Sequence, residues 1–372
     1  MRTGLLTFHA SHNYGSVLQA YALSRTLANH GHDAEIINLR TDAQIKAYPV
    51  IEKKGIHRFY QLLHYPLLRR RYNEYEQFIN NILPTGKEKF ASTQELSKNT
   101  FDYEAYICGS DQIWNPACPD FEDAYFLSFL RDDDSALRIA YAPSLGKSSF
   151  SENELSIIRK GIKRFDRISV REETGASLLR TMTDKSIDVV CDPVLLLGRS
   201  QWEEFAVKPK NKKPYILVYF LDNNHGSRDQ LEFLRKNTGY HVITINEYTR
   251  DFFKPYHKAY GTSPKEFVGL LANAGMIYTN SFHGTVFATI FEKPFITAIA
   301  KDKNTRNNSD SRKTDYLKRC GLMQCVYQDT LPNSEELMHI DFTETRRIIN
   351  DFRKSSTDYL LQALKRPEER ES

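Results

Sequence analysis

The sequence has no pair of cysteines at zinc-ligand spacing and no cysteine framework. Its five cysteines, Cys108, Cys118, Cys191, Cys320 and Cys325, are odd in number and scattered over 372 residues. That excludes a disulfide scaffold and a zinc finger or ribbon. There is no apolar run of about eighteen residues, hence no membrane-spanning helix is expected. The amino-terminal stretch Met1-Arg-Thr-Gly-Leu-Leu-Thr-Phe8 runs directly into a strand pattern. It lacks the apolar core and small-residue cleavage site of a secretory signal. These absences together predict a reduced, cytoplasmic protein. An excess of one charge is also missing: the net charge is +4, too mild to imply a nucleic-acid partner. The GxGxxG fingerprint of dinucleotide binding is absent, as is the GxSxG elbow of a serine hydrolase. So are the DxD, HExxH and EF-hand patterns, and no metal is expected.

What is present fits a soluble globular chain of two domains, with 40% hydrophobic and 26% charged residues. Gly4 to Phe8 reads as a buried strand. A polar loop, a helix over Val17 to Asn29 and a strand over Glu35 to Leu39 follow. Strand, loop, helix, strand is a βαβ unit and implies a parallel sheet. Tyr103–Cys108, Tyr125–Leu130, Arg138–Ala142 and Val189–Pro193 read as further strands, and Ile168 to Leu179 as strand, charged turn and helix. Ser151 to Glu154 is a capping box that opens a helix. After a lysine- and proline-rich stretch the pattern repeats, with strands over Tyr215–Leu221 and His241–Asn246. A second capping box, Ser263-Pro-Lys-Glu266, starts another helix. Next comes a strand over Met276–Thr279 and a turn of Asn280, Ser281, His283 and Gly284. The helix after it carries Val286, Phe287, Ile290 and Phe291 at helical spacing. The fold class is therefore α/β, with two Rossmann-like βα domains facing across a cleft.

The expected boundaries are an amino-terminal domain over 1–197 with a helical insertion at about 55–83, a linker over 198–214, and a second domain over 215–334. Helices in 335–372 should pack back on the first domain. The insertion contains His57 to Tyr75, rich in arginine and aromatics. It reads either as a solvated hairpin covering a sheet edge or as a surface for anionic lipid or a lipid-linked substrate.

Polar groups at the carboxyl ends of the predicted strands are candidate site residues, since ligands of open α/β sheets bind there. They are Asn13, Tyr14 and Gly15; Gly109 to Asp111; Arg171; and the His283 turn. The charged loop 301–312 adds Lys301, Arg306 and Arg312. His283 stands beside the unpaired N–H groups of a helix start, a place that favours a bound anion. Arginine, lysine and one histidine are the groups left to hold anions and move a proton.

The segments Asn13-Tyr-Gly-Ser-Val-Leu-Gln-Ala-Tyr-Ala22, Cys108-Gly-Ser-Asp-Gln-Ile-Trp-Asn-Pro116 and Tyr141-Ala-Pro-Ser144 occur in that order. Ser169-Val-Arg-Glu-Glu-Thr-Gly175, Asp192-Pro193 and Thr279-Asn-Ser-Phe-His-Gly284 follow. In this series the chain resembles the polysaccharide pyruvyl transferases. The resemblance implies an architecture similar to the GT-B glycosyltransferases. It also implies transfer of a pyruvyl group from phosphoenolpyruvate to two hydroxyls of a cell-surface polysaccharide precursor, with no cofactor beyond that donor. By the same resemblance His283 is the catalytic general acid. Arg171 binds substrate, and Lys301 or Lys303, with Lys301 preferred, lies near a family lysine. Asn13, Tyr14, Gly15, Asp111, Asn280, Ser281 and Gly284 line the site. The acceptor is a glycan, free or lipid-linked at the inner face of the membrane. By the same resemblance, family members often carry an arginine where this chain has Ser281; that anion contact is then missing, or Arg306 or Arg312 supplies it. Two other readings stay open: a nucleotide-sugar glycosyltransferase, and a non-catalytic glycan- or lipid-binding protein on this scaffold.

Overall fold

The structure, a computed structural model, describes residues 1–51, 56–147, 149–211, 213–221, 228–246, 251, 253–299, 311–327 and 337–366. The chain forms two compact units. One comprises Met1–Tyr48, Ile79–Leu197 and Ile349–Ser372; the other comprises Pro49–Phe78 and Gly198–Ile348.

The strands of the first unit are β1 (Arg2–Leu6), β2 (Asp33–Leu39), β3 (Thr85–Phe90), β4 (Ala105–Cys108), β5 (Leu137–Ala140), β6 (Arg167–Val170) and β7 (Ile187–Val189). Among the described residues they form one sheet, ordered β3-β2-β1-β4-β5-β6-β7. The second unit holds β8 (Tyr215–Tyr219), β9 (His241–Thr244), β10 (His257–Lys258), β11 (Met276–Thr279), β12 (Phe295–Ala298) and β13 (Val326–Tyr327). Their order is β10-β9-β8-β11-β12-β13. Every pairing in both sheets is parallel. Both units are thus Rossmann-like. Their central strands β4, β8 and β11 are buried throughout, as expected of parallel strands covered on both faces. In this topology the strand order reverses between β1 and β4, and again between β8 and β11. The crevice at the carboxyl ends of such a pair is where a ligand fits.

Local chemistry explains most element boundaries. Both expected capping boxes form, at Ser151/Glu154 and Ser263/Glu266. Leu6, Ile37, Trp114, Phe126, Phe165 and Ile168 share the core of the first unit. In the second unit the ring of Trp202 meets Phe287 edge-on at 5.0 Å.

Several expectations are corrected. Tyr125–Leu130 is no strand: Asp123–Phe126 is a 3-10 turn, and Leu127 takes φ 55°. The run is apolar because it plugs the core, and burial alone does not distinguish a plug from a strand. The insertion's residues up to Phe78 belong to the second unit. Tyr60 and Leu68 are buried there against Tyr260. The stretch 198–214 opens on helix Arg199–Phe205, which buries Trp202 and Phe205; only its lysine-rich remainder has a linker's composition. Edge strand β3, with sequence TGKEKF, escapes pattern reading because its exposed residues are charged. Of the expected carboxy-terminal helices, residues from Ile349 onward group with the first unit as expected, whereas those up to Ile348 group with the second. In the first unit Ser356 accepts from the Cys191 amide at 2.8 Å and Arg353 donates to the Leu195 carbonyl at 2.5 Å.

Candidate functional site

In the first unit the loops after β1 and β4 are tied together through one helix, Tyr14–Asn29. Asn13 caps it, accepting from the Gly15 amide at 2.9 Å. Ser16 and Gln19 follow at the i, i+3 spacing that places both on one face. Ser16 Oγ donates to Asp111 Oδ2 at 2.6 Å. Gln19, fully buried, donates to Thr7 Oγ1 at 2.8 Å and accepts from the Ser110 amide at 3.1 Å. The β4 loop turns sharply. Gly109 has φ 142°, and a Cβ there would lie 1.8 Å from the Tyr141 carbonyl oxygen. Asp111 has φ 66°, a conformation aspartate tolerates better than most residues. Asn13 and Gly15 therefore build the helix start, Tyr14 is buried, and Asp111 is held by Ser16.

A second carboxylate stands close by. Ser11 Oγ donates to Asp120 Oδ2 at 3.0 Å, and Gln44 Nε2 donates to Ser11 Oγ at 3.2 Å. Burial raises the Asp120 pKa; the Ser11 bond opposes this and Asp111 adds to it. A carboxyl whose pKa is raised by folding destabilises the native state as pH climbs through that interval. Below the unfolded value the cost is absent; above the folded value it is complete. Asp120→Asn is accordingly expected to raise Tm by a few degrees at pH 7. The gain should disappear near pH 3, below the ordinary value of 3.8. Thermal unfolding at the two pH values checks this, and an equal gain at both would refute it.

Arg171, at the end of β6, is buried with its Nη1 2.6 Å from Asp192 Oδ2 and its Nε 3.7 Å from Glu172 Oε2. Glu172 in turn accepts from Ser144 Oγ at 2.7 Å and from the Leu145 amide at 3.0 Å. Two carboxylates balance the guanidinium inside the fold. A buried arginine is stable only when paired, and these two carboxylates supply the pairing. Trp114 is likewise a core anchor, donating to the Tyr125 carbonyl at 3.0 Å. Four of the cysteines are poor nucleophiles. Burial raises the thiol pKa of Cys108, takes Cys191 and Cys320 to about 11, and takes Cys325 to about 12.

In the second unit the turn between β11 and helix Phe282–Ile290 forms as the sequence predicts. Ser281 is the N-cap, and its Oγ accepts from the Gly284 amide at 3.3 Å. Thr279 Oγ1 accepts from the Ser281 amide at 3.0 Å and donates to the Tyr219 carbonyl at 2.5 Å. A Cβ at Gly284 would meet Thr279 Oγ1 at 2.5 Å, so glycine permits the helix to start this close to β11. Asn280 Oδ1 accepts from the Leu221 amide at 2.7 Å, joining the end of β11 to the segment after β8. His283 lies in the first helical turn, 6% exposed, with its ring edge-on to Phe282 at 5.3 Å.

Sequence reading missed a cation. Lys313, 5% exposed, donates from Nζ to the Asn280 carbonyl at 2.8 Å and to the Ala298 carbonyl at 3.2 Å. These carbonyls close β11 and β12, so a fixed ammonium sits beside the amino-terminal end of the His283 helix. Both contribute positive potential at one sheet edge. A signal was available: Lys313, Tyr316, Leu317 and Cys320 share the buried stripe of helix Ser311–Arg319 and its end, which puts a lysine where an apolar residue belongs. Arg312 opens that helix, half-buried; Lys301 and Arg306 lie outside the described residues. A cavity of about 400 Å³ lined by Lys210, Lys213, His241 and His257 opens at the other edge of this sheet, away from His283.

Comparisons with known proteins bear on the family and the fold. A family model described as polysaccharide pyruvyl transferase matches residues 13–302, most of the chain. A search of the curated proteins finds no match. Among solved structures, UDP-GlcNAc 2-epimerase from Neisseria meningitidis bound to UDP-GlcNAc is similar at TM-score 0.51 and 11% identity. That match covers 98% of this chain and 99% of the other. Arabidopsis thaliana UGT89C1 complexed with UDP-L-rhamnose is similar at TM-score 0.50 and 10% identity, with coverage of 98% and 99%. Both share the GT-B fold.

Proposed function

The chain belongs to the polysaccharide pyruvyl transferase family, and from that premise we propose that it moves a pyruvyl group from phosphoenolpyruvate to two hydroxyls of a cell-surface glycan precursor. The observation that carries this reading is the pairing of Lys313 with the His283 helix start. Phosphoenolpyruvate bears a carboxylate and a phosphate, so its site needs fixed positive charge next to a proton donor. The carboxyl edge of the second sheet offers both. His283 protonates the methylene carbon and makes C2 electrophilic. One sugar hydroxyl then adds to C2; a second displaces phosphate, and the ketal closes. Each hydroxyl gives up one proton: one restores His283 and the other leaves with the phosphate. Lys313 and the positive end of the His283 helix neutralise charge, so no metal is invoked. Asn280, Ser281 and Gly284 shape the turn. In the first unit Asp111 and Asp120 are carboxylates held by Ser16 and Ser11. Arg171 positions the loops around Ser144 and Asp192. The proposed setting is the cytoplasm, where phosphoenolpyruvate is made.

Donor binding gives a direct test. Phosphoenolpyruvate is expected to raise the Tm of the protein, whereas UDP-GlcNAc and UDP-L-rhamnose are not. Lys313→Met should lose that shift and raise KM for phosphoenolpyruvate about tenfold to a hundredfold, the loss expected of one buried charged contact. Lys313→Arg should retain part of it. Stabilisation by a nucleotide sugar alone would replace pyruvyl transfer with glycosyl transfer.

A further inference from the structure

The helix Ile56–Leu63 turns the wrong side outward for a folded core. Tyr60 and Gln61 are buried, while Phe59, Leu62 and Leu63 are 72%, 47% and 67% exposed. Those three positions are i, i+3 and i+4, a single helical face. Tyr65 and Leu67, at the start of the next helix Tyr65–Asn81, are exposed beside them. The orientation is fixed from the other side. The Tyr60 and Tyr260 hydroxyls are 2.6 Å apart. The His64 ring lies 4.6 Å from Tyr60 and 5.1 Å from Tyr260. Arg70 Nη2 donates to Glu266 Oε1 at 2.7 Å. The apolar face therefore cannot roll inward without breaking these contacts.

Charge says what covers it. The stretch Ile56–Tyr72 holds four arginines, two histidines and no acidic residue. Arg58 and Arg69 are exposed. A second copy of the chain meeting this face about a twofold axis would set the same positive patch against itself. An apolar ridge flanked by arginine suits instead the boundary between headgroups and acyl chains of an anionic bilayer. We propose that Phe59, Leu62, Leu63 and Tyr65, with Arg58 and Arg69, form a docking surface for an anionic lipid bilayer. None of the described helices is long and apolar enough to cross a membrane; this face would lie on the surface.

Its place in the unit gives the contact a use. Arg71 Nη1 donates to Asn246 Oδ1 at 3.4 Å, and Asn246 Nδ2 donates to the Phe220 carbonyl at 2.6 Å. Phe220 follows β8, and the next residue, Leu221, is the one held by Asn280. The hairpin thus sits on the same sheet edge as the His283 turn. A lipid-linked acceptor would be presented at that edge; this consequence, unlike the docking itself, rests on the pyruvyl-transfer reading.

Vesicle flotation with the full chain tests the docking without any activity measurement. The protein is expected to float with phosphatidylcholine–phosphatidylglycerol vesicles and not with phosphatidylcholine alone, and high salt should release it. Arg58→Glu and Arg69→Glu should each lower partitioning about fivefold or more. The double variant Phe59→Ser/Leu63→Ser should lower it at least about tenfold with Tm unchanged. Failure of the parent to float would overturn the proposal, as would equal binding to neutral vesicles. So would a solution dimer that Phe59→Ser/Leu63→Ser dissolves, which would assign the face to a second copy.

Discussion

His283→Gln is expected to lower the turnover number about a hundredfold to ten-thousandfold, the range contributed by a positioned general acid. Phosphoenolpyruvate should still stabilise the variant in thermal unfolding. Glutamine fills much of the same volume and can still donate a hydrogen bond, but it cannot deliver a proton to carbon. The helix start is built by other residues: Ser281 supplies the cap, Gly284 the close approach and Thr279 the tie to β8. Fold and donor binding should therefore survive while the chemical step fails. A variant with full turnover would remove His283 from the reaction. A variant that unfolded would show that its buried ring, against Phe282, is chiefly packing.

The second large effect concerns stability. Asp192→Ala is expected to destabilise the first unit by about 3–5 kcal/mol, the cost of leaving a buried charge without its partner. The Arg171 and Asp192 side chains are 3% and 0% exposed and 2.6 Å apart. Asp192 also accepts from the Val194 amide at 2.9 Å, so alanine removes a turn cap as well. Arg171→Met should destabilise to a similar degree, because Asp192 and Glu172 would be left facing each other. Combining the two should cost less than their sum, the mark of direct coupling. Urea unfolding of the four proteins measures this. If Arg171→Met kept full stability and only weakened phosphoenolpyruvate binding, Arg171 would be a substrate contact and the buried pair incidental.

The sequence revealed the parts of this molecule governed by local rules. Strands β1, β4, β8 and β11 are apolar runs, and the loops after them carry the polar residues that both folds place at their switch points. The Ser281–Gly284 turn and both capping boxes depend on residues within three positions, so spacing alone exposes them. What stayed hidden depends on distant partners. Arg171 looks like a free cation until Asp192, from the end of the next strand, is placed beside it. Lys313 looks like one more surface lysine until its helix is turned against β11 and β12. Tyr125 and Phe126 have the composition of a strand, and only Trp114 shows them to be a core plug. Asp120 has no signal at all: its proximity to Ser11 arises from loops more than a hundred residues apart in sequence. The insertion's allegiance to the second unit follows from Tyr260 and Glu266, far along the chain.

Pyruvyl transfer itself is tested by mass spectrometry of glycan precursors incubated with the purified protein, with and without phosphoenolpyruvate, beside His283→Gln. The reading predicts a product heavier by one pyruvate less one water, formed with release of inorganic phosphate, dependent on phosphoenolpyruvate and absent with the variant. A product heavier by a sugar residue and dependent on a nucleotide sugar would contradict it, as would an unchanged glycan when phosphoenolpyruvate is supplied.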